Sequence, residues 1–406
     1  MQNNILLLLI APNVSEQMGG EAIKALQMFQ ELTKQHPNTI QITHARNRSE
    51  IERLQLANVM FVADSWVPLA IWNTVILRSL LDVWFSQQAV RLAEKIVQQK
   101  GFDQAVIHQT EPNSPVAPRA LSSRHINVFG PINGNIYYPA AFRARETRWN
   151  RLRRVLHMPL QRLNKWLPKG IKQAEQILVA GGERTYASLR TGGCPANILS
   201  DSLDCGVRDK LLDSVRVAHQ GVNLRFVHFG RLVFHKGTAL IIESLVNTRL
   251  PVCLDIVGRG PELEACQALV QRHGLGDRVR FLGWYTAQEE LFESFHAYRG
   301  VVLPSLEDAN GIVIQEAMAF GLPPICLDWG GPGLLIDHGR SGYLVPAGSR
   351  EQIVAEIGNC MDRLAEDGAL AESMSIAARA AAEKWRWSTL TSQWLAAYPS
   401  RRRSPA

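Results

Sequence analysis

The chain has 406 residues, 46% of them hydrophobic and 20% charged, with a formal net charge of +7. That length exceeds one compact core and implies two domains, and the composition excludes extended disorder outside the Arg401-Arg402-Arg403 tail. Six cysteines without a Cys-x-x-Cys pair, or histidines at ligand spacing, argue against a disulfide framework or a zinc site and imply a reducing, cytoplasmic location.

In chain order, Ile5 to Leu9 is expected as a first strand, because the apolar run is too short for a signal peptide and no basic residue precedes it. A loop then ends in Gly19-Gly20, where a helix from Glu21 to Gln35 begins; a glycine pair at such a turn allows close approach of a ligand to backbone. Val59 to Ala63 is expected as a buried strand, followed by a helix from Pro68 to Phe85, and Trp66, Trp72 and Trp84 read as core and groove wall rather than a stacking platform. Arg78 and Asp82 interrupt this apolar run, so it is not a membrane span. The strand Gln104 to Ile107 ends at His108, a position suited to a site in an open α/β sheet. Asn127 to Phe129 follows, with Gly130-Pro131 and Asn133-Gly134-Asn135 as turn formers at the same sheet edge.

Between Arg143 and Lys172 there are ten Arg or Lys and one acid, Glu146, and the rest of the chain is close to neutral. Trp149, Leu152, Val155 and Leu156 recur at helical spacing among arginines; Pro159 is expected to split the segment into two helices. The segment reads either as solvated helices or as a surface for anionic lipid; no nucleic-acid module accompanies it. Ile177 to Ala180 completes the first sheet, and Thr191 to Gly221 is the crossover to a second domain.

From Leu224 strands and helices alternate regularly, as in a parallel sheet. Gly230 to Gly237 follows a strand and offers Arg231 and Lys236 to an anion; Gly258-Arg259-Gly260-Pro261 follows the next strand. Pro304 to Asn310 follows the strand Gly300 to Leu303, and a helix opens at Ile312 with Asp308 and Glu316 eight residues apart around its start. A helix start beyond a strand's carboxyl end receives anions, and the two acids suit a polyhydroxyl ligand.

Gly230-Arg231-Leu232 with Lys236-Gly237, Gly258-Arg259-Gly260-Pro261, Pro304-Ser305 with Asp308 to Glu316-Ala317-Met318-Ala319, and Gly330-Gly331 resemble the C-terminal domain of GT-B retaining glycosyltransferases, family 4. The resemblance implies an α/β fold of two Rossmann-like domains facing across a cleft. It suggests residues 1–190 for the acceptor, residues 191–384 for the nucleotide sugar, and a final helix in 385–406 crossing back. By analogy Gly230, Gly258, Gly311, Ile312 and Val313 would meet the donor with backbone, Arg231 and Lys236 would neutralise its diphosphate, and Glu316 would bond the ribose. Asp308 would touch the sugar, standing one methylene shorter than the family's usual glutamate, and Leu334 stands near where many members place an acid. His108 would approach the sugar, and Gly19, Gly20, Asn133 and Gly134 would line the acceptor's path. The implied reaction moves a sugar from a nucleotide diphosphate sugar to a glycan or lipid-linked hydroxyl with retention. No resident cofactor or divalent metal is expected, and a peripheral place at the inner face of a membrane fits the basic segment. An inactive nucleotide-sugar-binding protein and an epimerase of the same fold are the alternatives.

Overall fold

The computed structural model describes residues 5–16, 18, 20–63, 75–134, 136–167, 170–285, 288–309 and 311–400, with backbone alone at 75–79 and 288–289. Gly19, Trp66, Trp72, Asn135, Lys169 and the Arg401 to Arg403 tail lie outside the described residues. The chain forms two compact units: residues 1–135, 153–205 and 387–406 make one, and residues 136–152 and 206–386 the other.

The first unit holds a seven-stranded parallel sheet. Its strands are β1 Leu6–Ile10, β2 Thr39–His44, β3 Val59–Val62, β4 Ala105–Gln109, β5 Ile126–Ile132, β6 Gln176–Val179 and β7 Leu199–Asp201, in the order β3-β2-β1-β4-β5-β6-β7. β1, β4 and β6 are buried along their whole length, because crossover helices cover both sheet faces and exclude the usual alternation. β2 has no such apolar run: Ile40 and Ile42 alternate with Thr39, Gln41 and Thr43, and all of these, with His44, are buried. β7 lies within the stretch expected to be a crossover, and it keeps the chain in the first unit as far as Cys205. The helix expected from Pro68 is described from Val75 and runs to Lys100.

The second unit holds a six-stranded parallel sheet, ordered β10-β9-β8-β11-β12-β13. Its strands are β8 Arg225–Phe229, β9 Cys253–Val257, β10 Val279–Gly283, β11 Gly300–Leu303, β12 Pro324–Asp328 and β13 Tyr343–Pro346. Helices Thr238–Ser244, Leu263–Arg272 and Arg350–Glu366 contribute Leu240, Ile241, Cys266, Ile353, Ile357 and Met361 to its core. Ser349 and Gln352 form a capping box that starts the last of these, each satisfying an amide of the other.

Helix Trp387–Ala397 lies on helix Gly20–Gln35 in the first unit, where Gln35 Nε2 donates to Ser388 O at 2.9 Å and Trp387 Nε1 to Gln27 Oε1 at 2.8 Å. The basic segment corrects an expectation. It is one helix, Arg148–Trp166, with Pro159 inside it rather than two helices broken there. Pro159 and Val155, whose carbonyl loses its usual donor, are both exposed residues, so water can replace the missing bond.

Candidate functional site

Strand order reverses between β8 and β11, and ligands in open α/β sheets bind outside the strand ends at such a point. The loops that leave these two strands are Gly230 to Gly237 and Pro304 to Gly311, the ones the sequence singles out. They are joined through backbone and one ion pair. Leu306 N–H donates to His235 O at 2.7 Å, and Lys236 Nζ donates to Asp308 Oδ2 at 2.8 Å with both side chains largely buried. The other carboxylate oxygen, Asp308 Oδ1, accepts the Gly311 amide at 3.0 Å. Asp308 therefore fixes the turn that leads into the helix Ile312–Ala319 while it neutralises Lys236.

Gly311 takes a left-handed conformation, φ 63°, as the residue before that helix. The first intrahelical bond is Ile314 N–H to Gly311 O at 2.7 Å, so the amides of Ile312 and Val313 precede the helix's own ladder. Glu316, one turn further on, is 8% exposed and accepts from Arg208 Nη2 at 3.3 Å. Arg208 belongs to the segment that enters the second unit, and no local pattern marks it in the sequence. Arg231 is exposed at the loop's start. Burial, then the neighbouring Lys236 and Arg231 charges, hold the His235 imidazole below its ordinary pKa against the opposing pull of Asp308. The loop thus already carries two cations beside a neutral histidine.

Two glycines in this region serve close backbone packing. A Cβ at Gly258 would stand 2.0 Å from Gly230 O, so these two loops touch main chain to main chain. A Cβ at Gly330, φ 89°, would meet Asp308 O at 2.4 Å, and the next amide, Gly331 N–H, donates to that same carbonyl at 3.0 Å. The Gly330-Gly331 turn therefore holds Asp308 from behind. Trp329 beside it donates its indole N–H to Tyr137 O at 2.7 Å.

In the first unit the order reverses between β1 and β4. Here Lys24, on the inward face of helix Gly20–Gln35, is 2% exposed and donates to Asn113 Oδ1 at 3.0 Å and Asp204 Oδ1 at 2.8 Å. Asn113 Nδ2 in turn donates to Glu21 Oε1 at 3.0 Å. Burial pulls the Lys24 ammonium down, but Asp204, Glu111 and Glu21 together outweigh it and hold its pKa above the ordinary value. A lysine among the apolar residues of that helix face is the only trace the network leaves in the sequence. Gly20 is exposed at the helix start. Asn133 and Gly134 leave β5, with Asn133 N–H donating to Asn113 O at 3.0 Å and Gly134 O accepting from Thr185 Oγ1 at 3.1 Å. Gly20, Asn133 and Gly134 therefore share the carboxyl edge of the first sheet; Gly19 is outside the described residues.

His108 differs from its expected placement. β4 continues through Gln109, and His108 has no exposed surface. Its Nδ1 meets Tyr398 Oη at 2.7 Å and its Nε2 meets Gly130 O at 2.8 Å. With a carbonyl oxygen as its partner, Nε2 carries the proton, and the hydroxyl of Tyr398 donates to Nδ1. Burial drives its pKa down to about 4, against the support of Gly130 O, with the Lys24 charge adding to the depression. It is a neutral internal strut tying β4, β5 and the C-terminal end together, placed by a contact 290 residues away in sequence.

Comparison with known proteins places this geometry. Residues 214–381 match the family model described as glycosyl transferases group 1. They contain Arg231, Lys236, Asp308, Gly311 and Glu316 but not Arg208, and this segment is similar to that family. A D-inositol 3-phosphate glycosyltransferase of Streptomyces griseus is 31% identical over 166 residues, covering 39% of this chain and 34% of its own length. The lipopolysaccharide core biosynthesis glycosyltransferase LpsD of Rhizobium meliloti is 33% identical over 149 residues, 37% of this chain and 41% of that one. The chain spans about a third of the length of the first of these relatives. Among solved structures, Anabaena Alr3699/HepE in complex with UDP superposes with a TM-score of 0.62 at 19% identity over 97% of this chain and 99% of that one. Sucrose-phosphate synthase of Thermosynechococcus elongatus does so with 0.66 at 20% identity, over 97% and 98%. The two parallel sheets and these neighbours make the fold an α/β one of the GT-B kind.

Proposed function

We propose that the protein is a retaining, family 4 glycosyltransferase that moves a sugar from a nucleotide diphosphate sugar to a hydroxyl acceptor, a glycan or a lipid-linked glycan. The observation that carries this reading is the Lys236–Asp308–Gly311 arrangement at the strand-order reversal, inside the segment that matches the transferase family. A relative named as a D-inositol 3-phosphate glycosyltransferase and a structural neighbour holding UDP favour the same donor class.

The difficult event in such a transfer is departure of the diphosphate as positive charge builds on the anomeric carbon. Lys236 and Arg231 would stabilise the leaving phosphates, with the amides of Ile312 and Val313 bonding to donor oxygens at the helix start. When Lys236 turns to phosphate, Asp308 loses its ammonium partner but keeps the Gly311 amide, and its carboxylate is then available to sugar hydroxyls. Glu316, held in place by Arg208, would bond the ribose. Gly20, Asn133 and Gly134 are assigned to the acceptor, and no resident cofactor or metal is required. His108 has no part in this reading, because both its nitrogens are engaged inside the first unit.

The test is a panel of nucleotide diphosphate sugars with the purified chain, following release of nucleoside diphosphate and the anomeric configuration of the product by NMR. Donor turnover with inversion would refute the retaining assignment. Binding of a donor without hydrolysis or transfer to any hydroxyl acceptor would leave only an inactive binding protein.

A further inference from the structure

Helix Arg148–Trp166 is built with its polarity reversed. The side that faces the protein carries polar groups: His157 and Gln161 are buried, and Asn150, Arg154 and Asn164 are half-buried. Gln161 Nε2 donates to Pro115 O at 3.1 Å and Ser188 Oγ at 2.7 Å, which fixes the helix to the first unit by hydrogen bonds rather than by an apolar seam. Thr147 caps its start by accepting the Asn150 amide at 3.1 Å. The outward side is apolar. Trp149, Leu152, Leu156 and Leu163 follow one another at spacings that fall on a single face, flanked by Val155 and Trp166, and all six are exposed, Leu163 by 57% and Trp166 by 81%. An ordinary surface helix buries this stripe. Here it is about 26 Å long, at 1.5 Å per residue, and points away from the core.

Charge selects the occupant. Arg148, Arg151, Arg153, Arg162 and Lys165 are exposed around the stripe, and the one acid of the segment, Glu146, is buried. A second copy docking on this face would set the same cations against each other. A bilayer with anionic headgroups matches both features, apolar side chains entering the acyl boundary and guanidinium groups meeting phosphates. Among the described residues no helix is long and apolar enough to cross a membrane, so the contact would be with one leaflet. We infer that helix Arg148–Trp166 is an interfacial anchor that lays its outward face into an anionic lipid surface. This inference is independent of the proposed reaction.

Flotation of the full chain with phosphatidylcholine vesicles, with and without phosphatidylglycerol, tests it. Binding is expected only to the anionic vesicles and should weaken with salt. Arg151→Gln and Arg162→Gln should each lower partitioning about fivefold, the equivalent of one basic residue near the surface. The double variant Leu156→Ser/Leu163→Ser, which leaves every charge in place, should lower it at least about tenfold with an unchanged circular dichroism spectrum. Equal binding to both vesicle types, or binding to neither, would overturn the inference. So would a dimer seen by light scattering that the double variant abolishes while vesicles remain unbound.

Discussion

Replacing Lys236 by alanine separates the two roles this side chain has been given. In the structure its ammonium is satisfied by Asp308 at 2.8 Å, at 22% and 14% side-chain exposure. Removing it therefore costs one charge-assisted bond, while Asp308 keeps the Gly311 amide. That should lower folding stability by about 1–3 kcal/mol, within reach of a folded protein's margin. During reaction the same ammonium would face charge developing on the departing diphosphate, where a lost donor costs about 2.7–4 kcal/mol, or about a hundred- to thousandfold in kcat. The assay is steady-state release of nucleoside diphosphate from the preferred donor, read beside a thermal melt of the same preparation. A Lys236→Ala protein that melts within a few degrees of the parent yet turns over at a near-normal rate would refute the assignment of Lys236 to the diphosphate.

Three further outcomes follow from the geometry. His108 and His228 are both fully buried and are each pushed down to about 4 by burial, His228 between Val302 O and Thr238 Oγ1. The unfolded chain takes up these protons below about pH 6.5 and the folded chain only near pH 4. Each of these two histidines should therefore cost its unit about 2 kcal/mol between about pH 7 and pH 5, the loss levelling off below about pH 4; urea midpoints that stay flat across that interval would contradict it. Lys24→Met should destabilise the first unit by about 3–5 kcal/mol, because Asp204 is left without its cation; double replacement with Asp204→Leu should recover a good part of that loss in the same urea titration. Donor turnover should survive a metal chelator unchanged, and loss of activity on chelation that added magnesium restores would require a metal role.

The second sheet was legible because parallel strands buried on both faces leave apolar runs, and Gly300 to Leu303 and the helix opening at Ile312 fall where pattern reading puts them. β2 carries a different signal from its neighbours, Ile40 and Ile42 alternating with the polar Thr39, Gln41 and Thr43, which is less conspicuous than the continuous apolar runs beside it. Of the candidate site, Lys236, Asp308 and Glu316 come from the local loop and helix chemistry that spacing reveals. Arg208, Lys24 and Tyr398 do not, because each acts through a partner on another element. His108 shows the converse: its strand-end position is a local signal, and the group that encloses it arrives from the end of the chain. Pro159 does not end its helix, on a side where both it and Val155 are exposed and water can replace the lost bond.

The central claim is that the loops around Lys236 and Asp308 hold a nucleoside diphosphate. Calorimetric titration of the full chain with UDP, GDP and ADP tests it most directly. The account predicts one site with a clear preference for one base, and Lys236→Ala should weaken it at least about tenfold, as expected for loss of a charge-assisted bond. Absence of binding by all three nucleotides, or affinity unchanged in Lys236→Ala, would contradict it.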